Sequence, residues 1–222
     1  MDTPELADLL VRADVLTFGD FVTKSGRATP FFLNFGRIRT GSQLAALGRA
    51  YADRVVEVFG RDVDVLFGPA YKGIPLAVAT ATALHAHHGL EVGVCFDRKE
   101  AKDHGEGGLL VGHQPVDGDR VVIVEDVTTA GTSIRETVPK LRAAADVDLL
   151  GLVVAVDRRE RAPDDTRSAL AAVSEEFGMV GTAITDIDAL VAHLRDHDVA
   201  GRRVLDEDDL ARIAEYRAAW GA

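Results

Sequence analysis

Two adjacent carboxylates, Glu125 and Asp126, close a run of β-branched apolar residues in VVIVEDVTTAGTSI, Val121 to Ile134. The loop after them, Val127, Thr128, Thr129, Ala130, Gly131, Thr132 and Ser133, is built mostly of small and hydroxyl-bearing residues, and a helical pattern follows. Acids at the end of a buried strand can reach sugar hydroxyls and a metal. A small-residue loop entering a helix N-terminus can offer backbone N–H groups to a phosphate, with Gly131 permitting close approach. The segment therefore predicts a sugar-phosphate site. The G-x-G-x-x-G spacing of a dinucleotide site is absent from it.

Three more segments carry unusual residues just past expected strand ends. GPAYKGIP, 68–75, is a tight turn projecting Lys72, and it lacks the spacing of a Walker A loop. Exposed N–H groups and one lysine suit a pyrophosphate, although a turn with a solvated lysine is the better reading of this segment taken alone. DRKEAKDHGEGG, 97–108, places Arg98, Lys99, Lys102 and His104 within seven residues of an otherwise acidic chain. A glycine-rich cationic loop can close over a polyanion and neutralise a leaving group. In VDRRER, 156–161, Arg158 follows a strand end and could hold a carboxylate or carbonyl edge bidentately, or make a surface salt bridge.

The elements that must position these residues alternate. Helix is expected over Pro4 to Ala13 with Thr3 as N-cap, and over Ser42 to Phe59. Residues 18–40 read as strands and turns around the pair Phe31 and Phe32. Strands are then expected at 64–68, 92–96, 121–124 and 149–156, with helices at 74–88 and 133–144 and a mobile loop over 97–112. Continuous apolar strands alternating with helices predict an α/β fold with a central parallel sheet covered on both faces. Ligands bind such sheets at the carboxyl ends of the strands, so the four segments should converge. Pro139 should kink or shorten its helix. The tail from Thr166 reads as mostly helical.

A chain of 222 residues that is 47% apolar suits one domain with a real core. The net charge of -11 argues against general nucleic-acid binding. No apolar run reaches membrane-spanning length, and the acidic start MDTPELADLL does not resemble a secretory signal. A single cysteine, Cys95, fits a small buried hydrophobe in a reducing cytoplasm. Only five lysines occur, and Lys24, Lys72, Lys99 and Lys102 all fall in or near glycine-rich stretches. His85, His87 and His88 mimic a metal cluster but sit at a polar helix end without a further ligand nearby in sequence. Trp220 is expected to pack or to touch a second subunit.

Taken together, these stretches resemble the type I phosphoribosyltransferases, and within them the bacterial orotate phosphoribosyltransferases. EDVTTAGTS resembles the family's site for phosphoribosyl pyrophosphate (PRPP). FVTKSGRATPFF, FGPAYKGIPLA and CFDRKEAKDHGEGG narrow the resemblance to the orotate branch, which runs from about Phe18 to Arg161, and EYRAAWGA is similar to the family's C-terminal end.

The resemblance implies a single domain over 1–222. A small hood would come from roughly residues 1–40 plus part of the C-terminal region, and a core from roughly 43–160. It implies transfer of the phosphoribosyl group to orotate in pyrimidine (UMP) biosynthesis, with Mg²⁺ held mainly by PRPP rather than by the protein. Lys24, Tyr71, Lys72 and the loop residues Arg98, Lys99, Lys102 and His104 would contact PRPP. Glu125 and Asp126 would hold the ribose hydroxyls, and 127–133 the 5′-phosphate. Phe31, Phe32, Thr129 and Arg158 would take orotate. Lys102, His104 and Asp126 are the implied catalytic residues. A cytoplasmic homodimer is implied, in which Arg98, Lys102 and His104 serve the partner's site and Lys99 its own. This chain departs from the family at Glu125, often Asp, and at Thr128, where bulky apolar residues are frequent.

Overall fold

The computed structural model describes residues 1–222 except Lys24, Ser25, 103–107 and Asp164, and it leaves out the side chains of 99–102. A two-stranded antiparallel ribbon, β1 (Leu16–Val22) and β2 (Ala28–Leu33), precedes a six-stranded sheet. The strands of that sheet are β3 (Val65–Gly68), β4 (Gly93–Lys102), β5 (Gly108–Gly112), β6 (Arg120–Glu125), β7 (Asp148–Asp157) and β8 (Val180–Asp186). Their order is β5-β4-β3-β6-β7-β8, with β5 antiparallel at one edge and the rest parallel. From β3 the chain steps outward to β4 and later returns to place β6 on the other side of β3. The strand order therefore reverses between β3 and β6, and the crevice at their carboxyl ends is where an open α/β sheet takes its ligand.

Side-chain alternation splits the core between two faces. Leu66, Val122, Val124, Val153 and Ala155 face one layer, which contains α1 (Thr3–Arg12), α2 (Gly41–Phe59), α3 (Gly73–Ala83) and α6 (Ile187–Asp196). Val65, Phe67, Val121, Ile123, Leu152 and Val154 face the other, which contains α4 (Thr132–Ala144) and α5 (Ala169–Phe177). Helices α2 and α3 approach closely at Gly48, where an added Cβ would lie 2.6 Å from the Ala79 carbonyl oxygen. The last helix, α7 (Glu207–Trp220), returns to the ribbon and packs on β2.

Several expectations need correction. The first helix is capped by Asp2, not Thr3, because the Asp2 carboxylate accepts from the Glu5 backbone N–H at 2.9 Å while the Glu5 side chain returns to Asp2 N–H. The helix expected over 74–88 is α-helical only to Ala83 and ends in a wider π-type turn, Leu84–His88. Segment 97–112 is not simply a loop. β4 runs on to Lys102 and pairs with β5, Phe96 opposite Val111 and Lys102 opposite Gly108. Pro139 does not end α4. Arg135 and Pro139 are both exposed, so water can take the Arg135 carbonyl that proline leaves without a donor. The tail is mostly helical as expected, and it adds one strand that was not, since β8 joins β7 in parallel and carries the sheet beyond residue 160. Its Gly181 lets α5 cross directly above, because a Cβ there would collide with the Ser174 hydroxyl.

Candidate active site

The reversal point of the sheet brings together two of the expected segments. Glu125 ends β6 and Asp126 follows it, and both are buried. Their backbone is pinned from behind. Tyr51 of α2 donates its hydroxyl to the Glu125 carbonyl at 2.6 Å, and the Asp126 carbonyl accepts from Ala155 N–H at 2.9 Å. Across the crevice, Lys72 Nζ donates to Asp126 Oδ2 at 3.0 Å from a half-exposed side chain. Burial, and then the charge of neighbouring Asp126, push the Glu125 carboxyl up to about 7. One acid is thus held by a lysine, and burial beside a like charge favours the protonated form of the other.

The loop that follows has the form of an anion cradle. Gly131 sits at the N-cap of α4 in the left-handed region (φ 70°), and no side chain among the described residues caps that helix. The first-turn N–H groups therefore remain available to a ligand. Thr128 is buried, and its hydroxyl has no hydrogen-bond partner among the described residues. An orphaned buried hydroxyl beside an uncapped helix end is what a phosphate oxygen would satisfy. Arg135 braces the loop from below by donating to the Ala130 carbonyl while its other nitrogens hold Glu176 at 2.8 Å. Thr129 and Thr132 are exposed at the mouth.

The turn after β3 is shaped by its glycines, since a Cβ on Gly68 would collide with the Gly73 backbone. It contains a cis peptide between Ala70 and Tyr71, and the Tyr71 side chain is 70% exposed. The Ala70 N–H donates to Asp97 Oδ1 at 2.8 Å, and Asp97 also pairs with Lys140 of α4. Asp97 therefore links the end of β4, the turn and α4.

At the end of β7, Arg158 is buried rather than forming a surface salt bridge. Its Nη2 donates to Glu160 Oε1 at 2.6 Å, and its guanidinium carbon lies 4.6 Å over the Phe31 ring. The aromatic pair splits by strand alternation. Phe31 is fully buried beneath Arg158, while Phe32 is part-exposed and stacks on Phe21 at 5.5 Å. Of the remaining expected residues, Arg98 lies in β4 at intermediate exposure. Lys24 and His104 lie outside the described residues, as do the side chains of Lys99 and Lys102.

No group of three or more potential metal ligands occurs among the described residues. His88 instead pairs with Asp53 at 2.9 Å and His85 with Glu91 at 2.8 Å. Two carboxylates fit a Mg²⁺ ion that keeps waters and leans on substrate oxygens, not a protein-built cage. Cys95 is buried, and burial pushes its thiol up to about 12. No helix among the described residues is long and apolar enough to cross a membrane.

Sequence reasoning passed over Asp97, Tyr51, Arg27, Glu160 and Tyr216. The only local sign for any of them was an acid standing beside basic site residues, Asp97 next to Arg98 and Glu160 two positions after Arg158.

The phosphoribosyl transferase domain matches residues 36–185. An orotate phosphoribosyltransferase of Clostridium acetobutylicum is 48% identical over 217 residues, covering 98% of this chain and 96% of the relative. The chain belongs to the orotate phosphoribosyltransferase family. Another relative of that name, from Agathobacter rectalis, is 51% identical over 219 residues, covering 98% of this chain and 96% of its own length. A crystal structure of orotate phosphoribosyltransferase from Francisella tularensis superposes with a TM-score of 0.82 at 33% identity, covering 98% of this chain and all of that one. The mostly parallel sheet flanked by helices is thus a type I phosphoribosyltransferase fold.

Proposed function

We propose that this orotate phosphoribosyltransferase-family chain transfers the phosphoribosyl group of PRPP to orotate, giving orotidine 5′-monophosphate and pyrophosphate in pyrimidine biosynthesis. The observation that carries the reading is the Lys72–Asp126 contact across the sheet reversal, directly beside an uncapped helix N-terminus with an orphaned Thr128 hydroxyl. Cation, carboxylate and anion cradle follow one another in the order pyrophosphate, ribose, 5′-phosphate.

In this reading the N–H groups and hydroxyls of 127–133 bind the 5′-phosphate, and Glu125 and Asp126 accept the ribose hydroxyls. Lys72 exchanges Asp126 for pyrophosphate oxygens when PRPP enters, which frees that carboxylate for the sugar. Tyr71 and Lys24 complete the pyrophosphate contacts. The orotate ring lies against the hood formed by the β1–β2 ribbon and α7, at Phe32, with its carboxylate on Arg158, which buried Phe31 supports from beneath, and an edge on Thr129. The orotate nitrogen forms a bond to C1 of the ribose as the bond from C1 to pyrophosphate oxygen breaks, with inversion and no covalent enzyme intermediate. The proton on the orotate nitrogen departs to solvent, the leaving oxygen takes the electron pair, and Lys102 and His104 supply charge and a proton to the pyrophosphate. Glu125 and Asp126 would face a Mg²⁺ ion held mainly by PRPP, which would supply Lewis-acid charge to the pyrophosphate. We infer a cytoplasmic homodimer in which Arg98, Lys102 and His104 act at the partner's site and Lys99 at its own.

The test is consumption of orotate, followed by absorbance, in the presence of PRPP and Mg²⁺. Loss that requires both supports the reading. No loss of orotate, with consumption of adenine, hypoxanthine or uracil instead, overturns it.

A further inference from the structure

Behind Arg158 stands a buried cluster that the proposed chemistry does not use. Glu160 is only 2% exposed. Its Oε1 accepts from Arg158 Nη2 at 2.6 Å and from the Tyr216 hydroxyl at 2.9 Å, and its Oε2 accepts from Arg27 Nη2 at 2.5 Å. The three donors come from distant parts of the chain: the end of β7, α7, and the turn leading into β2. One carboxylate thus ties the base end of the sheet to both elements of the hood.

Aromatic rings fix the guanidinium planes. Arg158 lies 4.6 Å over Phe31, whose ring meets Tyr216 edge-on at 5.7 Å. Arg27 lies over Trp220 at 5.0 Å and over Tyr216 at 5.7 Å. Trp220 is therefore a packing residue of this cluster.

The charges do not balance. Two guanidinium groups share one carboxylate, and Tyr216 is a neutral donor whose hydroxyl burial pushes above its ordinary value. The Nε atoms of Arg27 and Arg158 are both buried without a hydrogen-bond partner among the described residues. Unsatisfied buried donors and an excess of buried positive charge are unfavourable, and an anion arriving beside Arg158 offsets the charge. A neutral ring would leave the charge as it is.

We propose that Glu160 is a positioning residue for base recognition, holding Arg158 in the orientation that receives the base's carboxylate, with Arg27 and Tyr216 fixing Glu160 in turn. This rests on orotate being the acceptor. Glu160 touches no reacting atom. It aims Arg158, and its three-way tie makes the hood's seating and the carboxylate's recognition parts of one arrangement.

The decisive variant is Glu160→Asp in the full-length protein, assayed with PRPP, Mg²⁺ and orotate. It keeps the charge of the cluster and withdraws the carboxylate by one methylene, so the change is geometric. The KM for orotate should rise about 10- to 100-fold, the size of one displaced hydrogen bond to a charged group. The KM for PRPP should stay within about twofold, because its contacts lie elsewhere. An unchanged orotate KM, or equal rises in both constants, overturns the proposal. Should Glu160→Asp fail to fold, Tyr216→Phe decides in its place. It removes one hydroxyl and should raise the orotate KM alone, by about three- to tenfold; no rise, or a rise shared with PRPP, overturns the proposal. The unmodified protein is the reference: if it does not consume orotate, the functional reading itself fails, whereas a working reference with unaffected variants removes only the role of Glu160.

Discussion

Replacing Glu125 by glutamine removes one buried charge and little else. The folded protein holds this carboxyl at about 7 against an ordinary 4.5, through burial and then the charge of Asp126. A folded value above the unfolded one means that the native state binds the proton more tightly. Its contribution to stability is therefore fully present below about 4.5 and is lost as pH rises to about 7. At about 1.4 kcal/mol per pH unit, that gap amounts to about 3 kcal/mol. Glutamine has nearly the same shape and no charge to desolvate. Urea unfolding at pH 4 and pH 8 should show the two proteins about equally stable in acid and Glu125→Gln more stable by about 3 kcal/mol in base. If Glu125 holds the ribose as proposed, the same variant should bind PRPP more weakly, since a buried acid in a ligand site is where stability is given up for function. Parallel stability profiles, or a wild type that is the more stable protein at pH 8, would refute the reasoning.

Three further outcomes are expected. Lys102→Ala should lower turnover by roughly two or more orders of magnitude through lost charge at the leaving pyrophosphate, with an unchanged unfolding midpoint. Near-normal turnover, also in mixed dimers, removes Lys102 from the chemistry. Gly48→Ala should destabilise the fold by about 1–3 kcal/mol, because its Cβ would press on the Ala79 carbonyl where α2 crosses α3. Thermal unfolding reads this directly, and KM values at low temperature should not move. Cys95, buried and held at about 12, should resist a thiol reagent in native protein at pH 8 and react at once in urea.

The sequence made legible what depends on local pattern. The strands of the sheet centre are continuous apolar runs because both faces are covered, and VVIV and LLGLVVAV stand out for that reason. The uncapped loop before α4 was legible because acids, small residues and a glycine follow a strand in one short segment. What escaped depends on partners far apart in the chain. β8 is an edge strand with only its later residues buried, so VGTAITD carries no strong apolar signal. Pro139 survives inside α4 because of where solvent lies, which its neighbours in sequence do not reveal. Glu160 gains its role from Arg27 and Tyr216, residues 133 and 56 positions away. Asp97 gains its role from Ala70 and Lys140, on two other elements. Phe31 and Phe32 looked equivalent in sequence, and strand alternation gave them opposite surroundings.

The central claim is that this site transfers a phosphoribosyl group to a pyrimidine that carries a carboxylate. The most direct measurement compares kcat/KM for orotate and for uracil at saturating PRPP and Mg²⁺. A site with a buried, donor-rich arginine should reject the base lacking the carboxylate by roughly 10⁴-fold, because uracil leaves those donors unpaired. Comparable use of the two bases would contradict the account.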